Sequence, residues 1–209
     1  MSETVIAIDG PAGSGKSTVA RALAGALGWS FLDTGAMYRA VTVEALARGL
    51  DMHDAGALAE LANSVTLTTL PRVTVNGRDV EDEIRSESTN HAVSVVAANP
   101  EVRRAMVRRQ REWADAQPVG TVVEGRDITT VVFPDATLKI YLTASLEERS
   151  RRRGDEDAGS VARRDQVDSS RSASPLRRAR DATVIDTTDR TVEDVVGEII
   201  RCLTAQRSR

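Results

Sequence analysis

The apolar positions of the chain change their period from one stretch to the next, and the changes mark its elements. TVIAID (4–9) is a short β-rich run that stops at Gly10. From Lys16 to Leu27 apolar residues recur at Val19, Leu23, Ala26 and Leu27, the spacing of one helical face. WSFLD (29–33) predicts a second strand, Tyr38 to Leu50 a helix, and Asp54 to Ala62 a shorter one. VTLTTL (65–70) then alternates, and RVTV-NG-RDV (72–80) carries a hairpin signal with Asn76-Gly77 at its tip. Helical spacing returns at 88–97 and 100–115, and GTVVEG (120–125) and TLKIYL (137–142) are short apolar strands. Leu146 to Arg153 predicts a helix, GDEDAGS (154–160) a polar loop, and 161–170 another helix. ATVIDT (182–187) is a last strand, and Thr191 to Leu203 a last helix opened by the capping-box-like Thr191-Val-Glu-Asp194.

Short buried strands alternating with helices specify an α/β fold around a parallel sheet, with a small antiparallel insertion near 63–85. No internal repeat or low-complexity segment interrupts this pattern. The length of 209 residues predicts a single domain.

Composition narrows the functional classes. Hydrophobic residues make up 41% but aromatics only 3%, so aliphatic side chains must build the core. No apolar run is long enough to span a bilayer, and MSETVIAIDG lacks the layout of a secretory leader, so a cytoplasmic protein without membrane attachment is expected. Cys202 is the single cysteine, which excludes an internal disulfide and a cysteine metal cluster. A net charge of −3 argues against a general nucleic-acid binder. Of the 28 basic residues only Lys16 and Lys139 are lysine, leaving 26 arginines, so the placement of Lys16 is conspicuous.

Gly10-Pro11-Ala12-Gly13-Ser14-Gly15-Lys16-Ser17, followed by Thr18, fits G-x4-G-K-[ST] between a predicted strand and a predicted helix. Its glycines let the backbone wrap a phosphate and its N–H groups point inward. Lys16 is expected to reach the β- and γ-phosphates, and Ser17 to offer a hydroxyl to Mg²⁺. The ligand this predicts is a nucleoside triphosphate, ATP above GTP, because no Asn-Lys-x-Asp guanine-reading segment occurs.

Two further polar stretches stand at strand ends, where ligands of open α/β sheets bind. Asp33-Thr34-Gly35-Ala36-Met37-Tyr38-Arg39 follows the second strand as a strand-to-helix turn; alone it is equally well a helix cap with a solvated arginine. Val122-Val123-Glu124-Gly125-Arg126-Asp127 runs two β-branched residues into two carboxylates and a guanidinium.

GPAGSGKST, LDTGAMYR and VVEGRDITTVVFPDA together resemble the bacterial cytidylate kinase family. So do S-x5-P-x-V-R (Ser94 to Arg103) and R-D-x-x-D-x-x-R (Arg164 to Arg171). The motifs occur in the family's order and cover nearly the whole chain. The resemblance implies a three-layer P-loop fold with a nucleoside-monophosphate-binding region over 34–100 and a short lid over 149–165. It implies transfer of a phosphoryl group from ATP, with Mg²⁺, to CMP or dCMP.

By the same resemblance, Lys16, Arg39, Arg126 and Arg171 are catalytic, the three arginines clamping phosphate. Ser94, Arg103 and Asp127 read cytosine, Arg164 and Asp168 hold the ribose, and Tyr38 lines the sugar or base wall. Thr34 keeps a hydroxyl where the family commonly has serine. Glu124 stands where aspartate is common and is implied to orient Mg²⁺ through water. The segment from Arg149 to Arg164 is shorter than the family's lid. Without the resemblance, Arg103 reads as one more solvated arginine of RRAMVRRQR.

The alternatives are another small P-loop kinase, acting on a sugar acid or coenzyme precursor, and a nucleotide-dependent switch. The pairs Ser94–Arg103 and Arg126–Asp127 speak against the first, and the lack of a coiled coil, zinc site or basic tail against the second. A monomer with small-molecule partners alone is expected. His53 and His91 have no neighbours in the sequence that suggest a metal or acid–base role.

Overall fold

The computed structural model describes residues 4–152 and 176–207 and, between them, positions 159 and 166. In chain order the described elements begin with β1 (Val5–Asp9), α1 (Lys16–Leu27), β2 (Ser30–Asp33), α2 (Thr34–Ala47) and α3 (Ala55–Ser64). Three two-residue strands follow, β3 (Leu67–Thr68), β4 (Thr74–Val75) and β5 (Arg78–Asp79), then a 3₁₀ turn over Glu83–Arg85. The chain continues through α4 (Glu87–Ala98), α5 (Pro100–Asp115), β6 (Thr121–Gly125), a π-helical turn (Ile128–Val132) and β7 (Leu138–Thr143). It ends with α6 (Leu146–Arg152), β8 (Thr183–Asp186) and α7 (Val192–Arg207).

The chain divides into two compact units, Asp33–Glu112 and the remainder, Met1–Leu32 with Trp113–Arg209. The remainder carries a five-stranded sheet of order β2-β6-β1-β7-β8. The pairings of β1 with β6, β1 with β7 and β7 with β8 are parallel. Its core is aliphatic, as 3% aromatics requires. Ile6, Ile8, Val122, Ile140, Leu142 and Ile185 of the strands are buried against Val19 and Leu23 of α1 and Val195, Ile199 and Leu203 of α7. Each such side chain withdrawn from water contributes about 1.5–3 kcal/mol. β1 and β6 are buried on both faces because they sit inside the sheet, which explains their unbroken apolar runs. Thr191 caps the start of α7: the Asp194 N–H donates to Thr191 Oγ1 at 3.1 Å, and that hydroxyl in turn donates to Asp194 Oδ2 at 2.8 Å.

In the unit Asp33–Glu112, α2 packs against α3, α4, the 3₁₀ turn, β3 and β4. Leu58, Leu61, Val73, Val75, Val80, Ile84 and Val96 supply its buried apolar side chains. The hairpin of β4 and β5 turns at Asn76 (φ 51°) and Gly77 (φ 79°), the paired left-handed conformation expected of an Asn-Gly tip.

Three boundaries differ from the sequence pattern. Helix α2 begins at Thr34, four residues before Tyr38, because Asp33 Oδ1 accepts the Ala36 N–H at 2.9 Å and caps it there. Thr34 to Arg39 are therefore helical and not a turn. VTLTTL pairs only at Leu67 and Thr68, opposite Val75 and Thr74, since in this register residues 69–73, with Pro71 at the middle, make the connection between the two strands. Gly159, expected in a loop, is helical, as is Gln166.

Candidate active site

The phosphate loop joins β1 to α1, and three of its glycines are required by geometry. Gly10 (φ 155°), Gly13 (φ 77°) and Gly15 (φ 83°) lie in left-handed backbone. A Cβ on Gly10 would stand 2.1 Å from the Leu142 carbonyl oxygen at the end of β7, and one on Gly13 2.6 Å from the Arg149 carbonyl oxygen. The loop is closed by Ser14, whose Oγ donates to the Pro11 carbonyl at 3.0 Å. Lys16 Nζ donates to the same carbonyl at 2.8 Å, so its stem is buried and its ammonium folds over the loop. Gly15 caps α1 without a side chain, while Ser17 and Thr18 are exposed on its first turn. Lys139, the other lysine, pairs with Asp181 at 2.6 Å away from the loop.

The end of β6 lies beside the loop because β6 pairs with β1 in register Ile8↔Glu124 and Asp9↔Gly125. Glu124 is buried, and Ser17 Oγ donates to its Oε1 at 2.6 Å. Arg126, half-buried, donates from Nη1 to the Gly10 carbonyl at 2.9 Å. Asp127 is buried, and its carbonyl accepts from Val131 and Val132 of the π-helical turn. Glu124 and Arg126 thus bond residues of the phosphate loop, and Asp127 follows them beyond the end of β6.

Two hard oxygen donors, the Ser17 hydroxyl and the Glu124 carboxylate, meet beside the loop. This donor set suits Mg²⁺, which takes one or two protein oxygens and completes its shell with phosphate oxygens and water. Among the described residues no group of three or more metal-binding side chains occurs.

In the unit Asp33–Glu112, Thr34 and Tyr38 lie one turn apart on α2 and both are buried. Arg103 of α5 is only 5% exposed. Its guanidinium lies 5.4 Å from the Tyr38 ring centroid and its Nη1 donates to the Ala97 carbonyl at 3.0 Å. Arg39 Nη1 donates to the Ile84 carbonyl at 2.5 Å. Ser94 is half-buried on α4. Arg103 is therefore no solvated member of a basic run. Arg164, Asp168 and Arg171, and the lid beyond Arg152 apart from Gly159, lie outside the described residues. His53 and His91 are exposed.

Four residues that the sequence reading did not assign also line the site. Asp9 is fully buried: Oδ1 accepts the Ile128 N–H at 2.8 Å, and Oδ2 accepts the Thr129 N–H at 2.8 Å and the Thr129 hydroxyl at 2.6 Å. Burial pushes its carboxyl up to about 6; the three donors oppose this and the charge of Asp127 reinforces it. The visible signal was a carboxylate ending an apolar strand, the same signal that marked Glu124. Arg149 Nη1 donates to the Ala12 carbonyl at 3.1 Å, which singles it out among the arginines of α6. Thr187 shares its hydroxyl hydrogen between the carbonyls of Ser14 (3.2 Å) and Thr143 (3.1 Å) and accepts from Arg152 Nη1 at 2.9 Å. Glu148 holds Arg151 and Arg152, and those guanidiniums, Arg151 foremost, pull its carboxyl down to about 2.

Comparison with known proteins agrees with this geometry. The family model described as Cytidylate kinase matches residues 6–205. A cytidylate kinase of Geobacillus kaustophilus is 49% identical, covering 93% of this chain and 94% of its own. One of Mycolicibacterium paratuberculosis is 47% identical over 99% and 97%. Among solved structures, shikimate kinase from Acinetobacter baumannii superposes with a TM-score of 0.51 at 16% identity, covering 99% of this chain and 96% of that one, which is a likeness of fold.

Proposed function

The chain belongs to the cytidylate kinase family, and we infer from its site how it transfers the γ-phosphate of ATP to CMP or dCMP, giving ADP and CDP or dCDP. The bond from the ATP β–γ bridging oxygen to the γ-phosphorus breaks, and one forms from that phosphorus to a CMP phosphate oxygen. The observation that carries the reading is the convergence of the phosphate loop, Glu124, Arg126 and Asp127 at the joined ends of β1 and β6.

The loop from Gly10 to Thr18 binds ATP, and Lys16 turns from the Pro11 carbonyl to the β- and γ-phosphates. Ser17 and Glu124 hold Mg²⁺, which neutralises phosphate charge when bound. Phosphoryl transfer has a loose transition state, so positioning and charge neutralisation carry the rate. The acceptor phosphate is already an anion and needs no general base. It must instead approach a second anion, which calls for Arg39, Arg126 and Arg171 as clamps; arginine matches phosphate oxygens bidentately.

Asp127 accepts from the cytosine amino group, and Ser94 and Arg103 hold the rest of the base edge. The stacking of Arg103 on Tyr38 supports this role, since it fixes the guanidinium plane before a base arrives. Uracil would present an acceptor to the Asp127 carboxylate and be rejected. Thr34 and Tyr38 line the acceptor, and Arg164 and Asp168 take the ribose. Residues 34–100 form the monophosphate-binding region and 149–165 the lid of one kinase domain. The protein acts as a cytoplasmic monomer with no nucleic-acid or membrane partner.

A coupled assay of ADP release with CMP, dCMP, UMP, AMP and shikimate tests the reading. Turnover of CMP and dCMP well above the rest is expected; turnover of AMP without CMP would overturn it.

A further inference from the structure

We propose that Asp9 is a positioning residue for acceptor selectivity, its carboxylate fixing the Arg126–Asp127 pair against the root of the phosphate loop. The inference rests on the assignment of Asp127 to the cytosine amino group. Asp9 immediately precedes the phosphate-loop motif and belongs to none of the motifs that mark the site. It is the last residue of β1 and sits beside Gly125 of β6 in the parallel register. The segment that follows Gly125 is then tied down on both sides of Asp127. On one side Arg126 donates to the carbonyl of Gly10, the residue next to Asp9. On the other, the Ile128 and Thr129 N–H groups and the Thr129 hydroxyl all end on the Asp9 carboxylate. Asp127, with its φ of −140° and ψ of 23°, is the hinge held between these two ties.

A carboxylate fits this task better than its neutral relatives. Three donors converge on two oxygens, and only an acceptor at both positions satisfies them. An amide that kept its oxygen toward the two Thr129 donors would turn its NH₂ toward the Ile128 N–H and leave that buried donor unpaired. The carboxylate is kept although burial raises its proton affinity, so the position serves the geometry of residues 126–129 at a cost to the fold. The same carboxylate belongs to the strand that launches the phosphate loop. The Asp9 backbone is held in the sheet by β6 and β7 while its side chain reaches residues 128 and 129, so loss of the carboxylate displaces the acceptor reader and leaves the loop in place. A misplacement on the order of 1 Å at a reacting group is enough to change rates by up to about 100-fold.

The test uses full-length Asp9→Asn, Thr129→Val, Thr129→Ser and Asp127→Ala, each assayed with CMP and with UMP at saturating ATP, and with ATP varied. Thr129→Val deletes the 2.6 Å hydroxyl bond while keeping the side-chain shape, and it decides the matter if Asp9→Asn fails to fold. Both should lower kcat/KM for CMP about tenfold and shrink the CMP-to-UMP ratio several-fold, leaving KM for ATP within about twofold. Thr129→Ser should retain the native ratio. The proposal is overturned if Asp127→Ala collapses the ratio while Asp9→Asn and Thr129→Val leave it unchanged. It is likewise overturned if they impair ATP and CMP use alike at an unaltered ratio. A native ratio in Asp127→Ala would instead overturn the assignment of Asp127 itself.

Discussion

The Ser17 hydroxyl donates to Glu124 at 2.6 Å, joining the first turn of α1 to the end of β6 across 107 residues of sequence. The glutamate side chain spans the distance directly. Glu124→Asp shortens the reach by about 1.5 Å and should lower kcat roughly tenfold, while Glu124→Gln should lower it about 100-fold. In both, the Mg²⁺ concentration for half-maximal rate should rise. Titrating the rate with Mg²⁺ checks this, and an unaltered dependence would remove Glu124 from the metal side.

Arg103→Lys keeps the charge but loses the planar contact with Tyr38 and the geometry of the bond to Ala97. The expected outcome is a stability loss of about 1–2 kcal/mol and a KM for CMP raised about tenfold. Urea unfolding and steady-state kinetics separate the two effects. A KM left at its native value would return Arg103 to a purely structural role.

Thr187→Val removes the hydroxyl that steadies the Ser14 carbonyl from the side of β8. Because its contacts among the described residues reach the phosphate loop, KM for ATP should rise several-fold while KM for CMP stays within about twofold. Varying each substrate at saturation of the other gives both constants. Equal increases would argue against a selective role.

Asp9 predicts a pH dependence of stability. Its folded value of about 6 lies above the ordinary 3.8, so the folded state binds this proton more tightly than the unfolded chain. The stability this supplies is fully present below pH 3.8 and lost as the pH rises through 6. A gap of about two units corresponds to roughly 3 kcal/mol. The stability of the native protein relative to Asp9→Asn should therefore fall by about that much between pH 4 and 7. Urea midpoints of both proteins across that range measure it, and a constant difference would refute it.

The strands and the phosphate loop were legible because each is a local pattern: an apolar run, a glycine spacing, an Asn-Gly tip. The stretch from Asp33 to Arg39 left a turn and a helix cap equally open because Gly35 suits a turn, and the bond from the Ala36 N–H to Asp33 decides for the cap. The Glu124–Ser17 and Arg126–Gly10 contacts follow from a β1–β6 register that no local pattern contains. Arg103 is marked only by the family resemblance, since its local run reads as solvated; in the fold it lies against Tyr38, 65 positions away in sequence. Thr187 is an ordinary threonine until β8 brings it beside Ser14. Residues that act through their own chemistry left a trace in the sequence; of those that hold a backbone, Asp9 left one, a carboxylate ending an apolar strand, and Thr187 left none.

The parallel pairing of β1 with β6 also has a consequence during synthesis. The ribosome delivers Ser17 107 residues before Glu124. At about 5–20 residues per second, some 5–20 s separate the two. For that interval the growing chain holds a whole phosphate loop but neither its carboxylate partner nor Arg126. Until β6 arrives, β1 lacks its neighbour on that side of the sheet, so the site can close only once the second half of the chain is made.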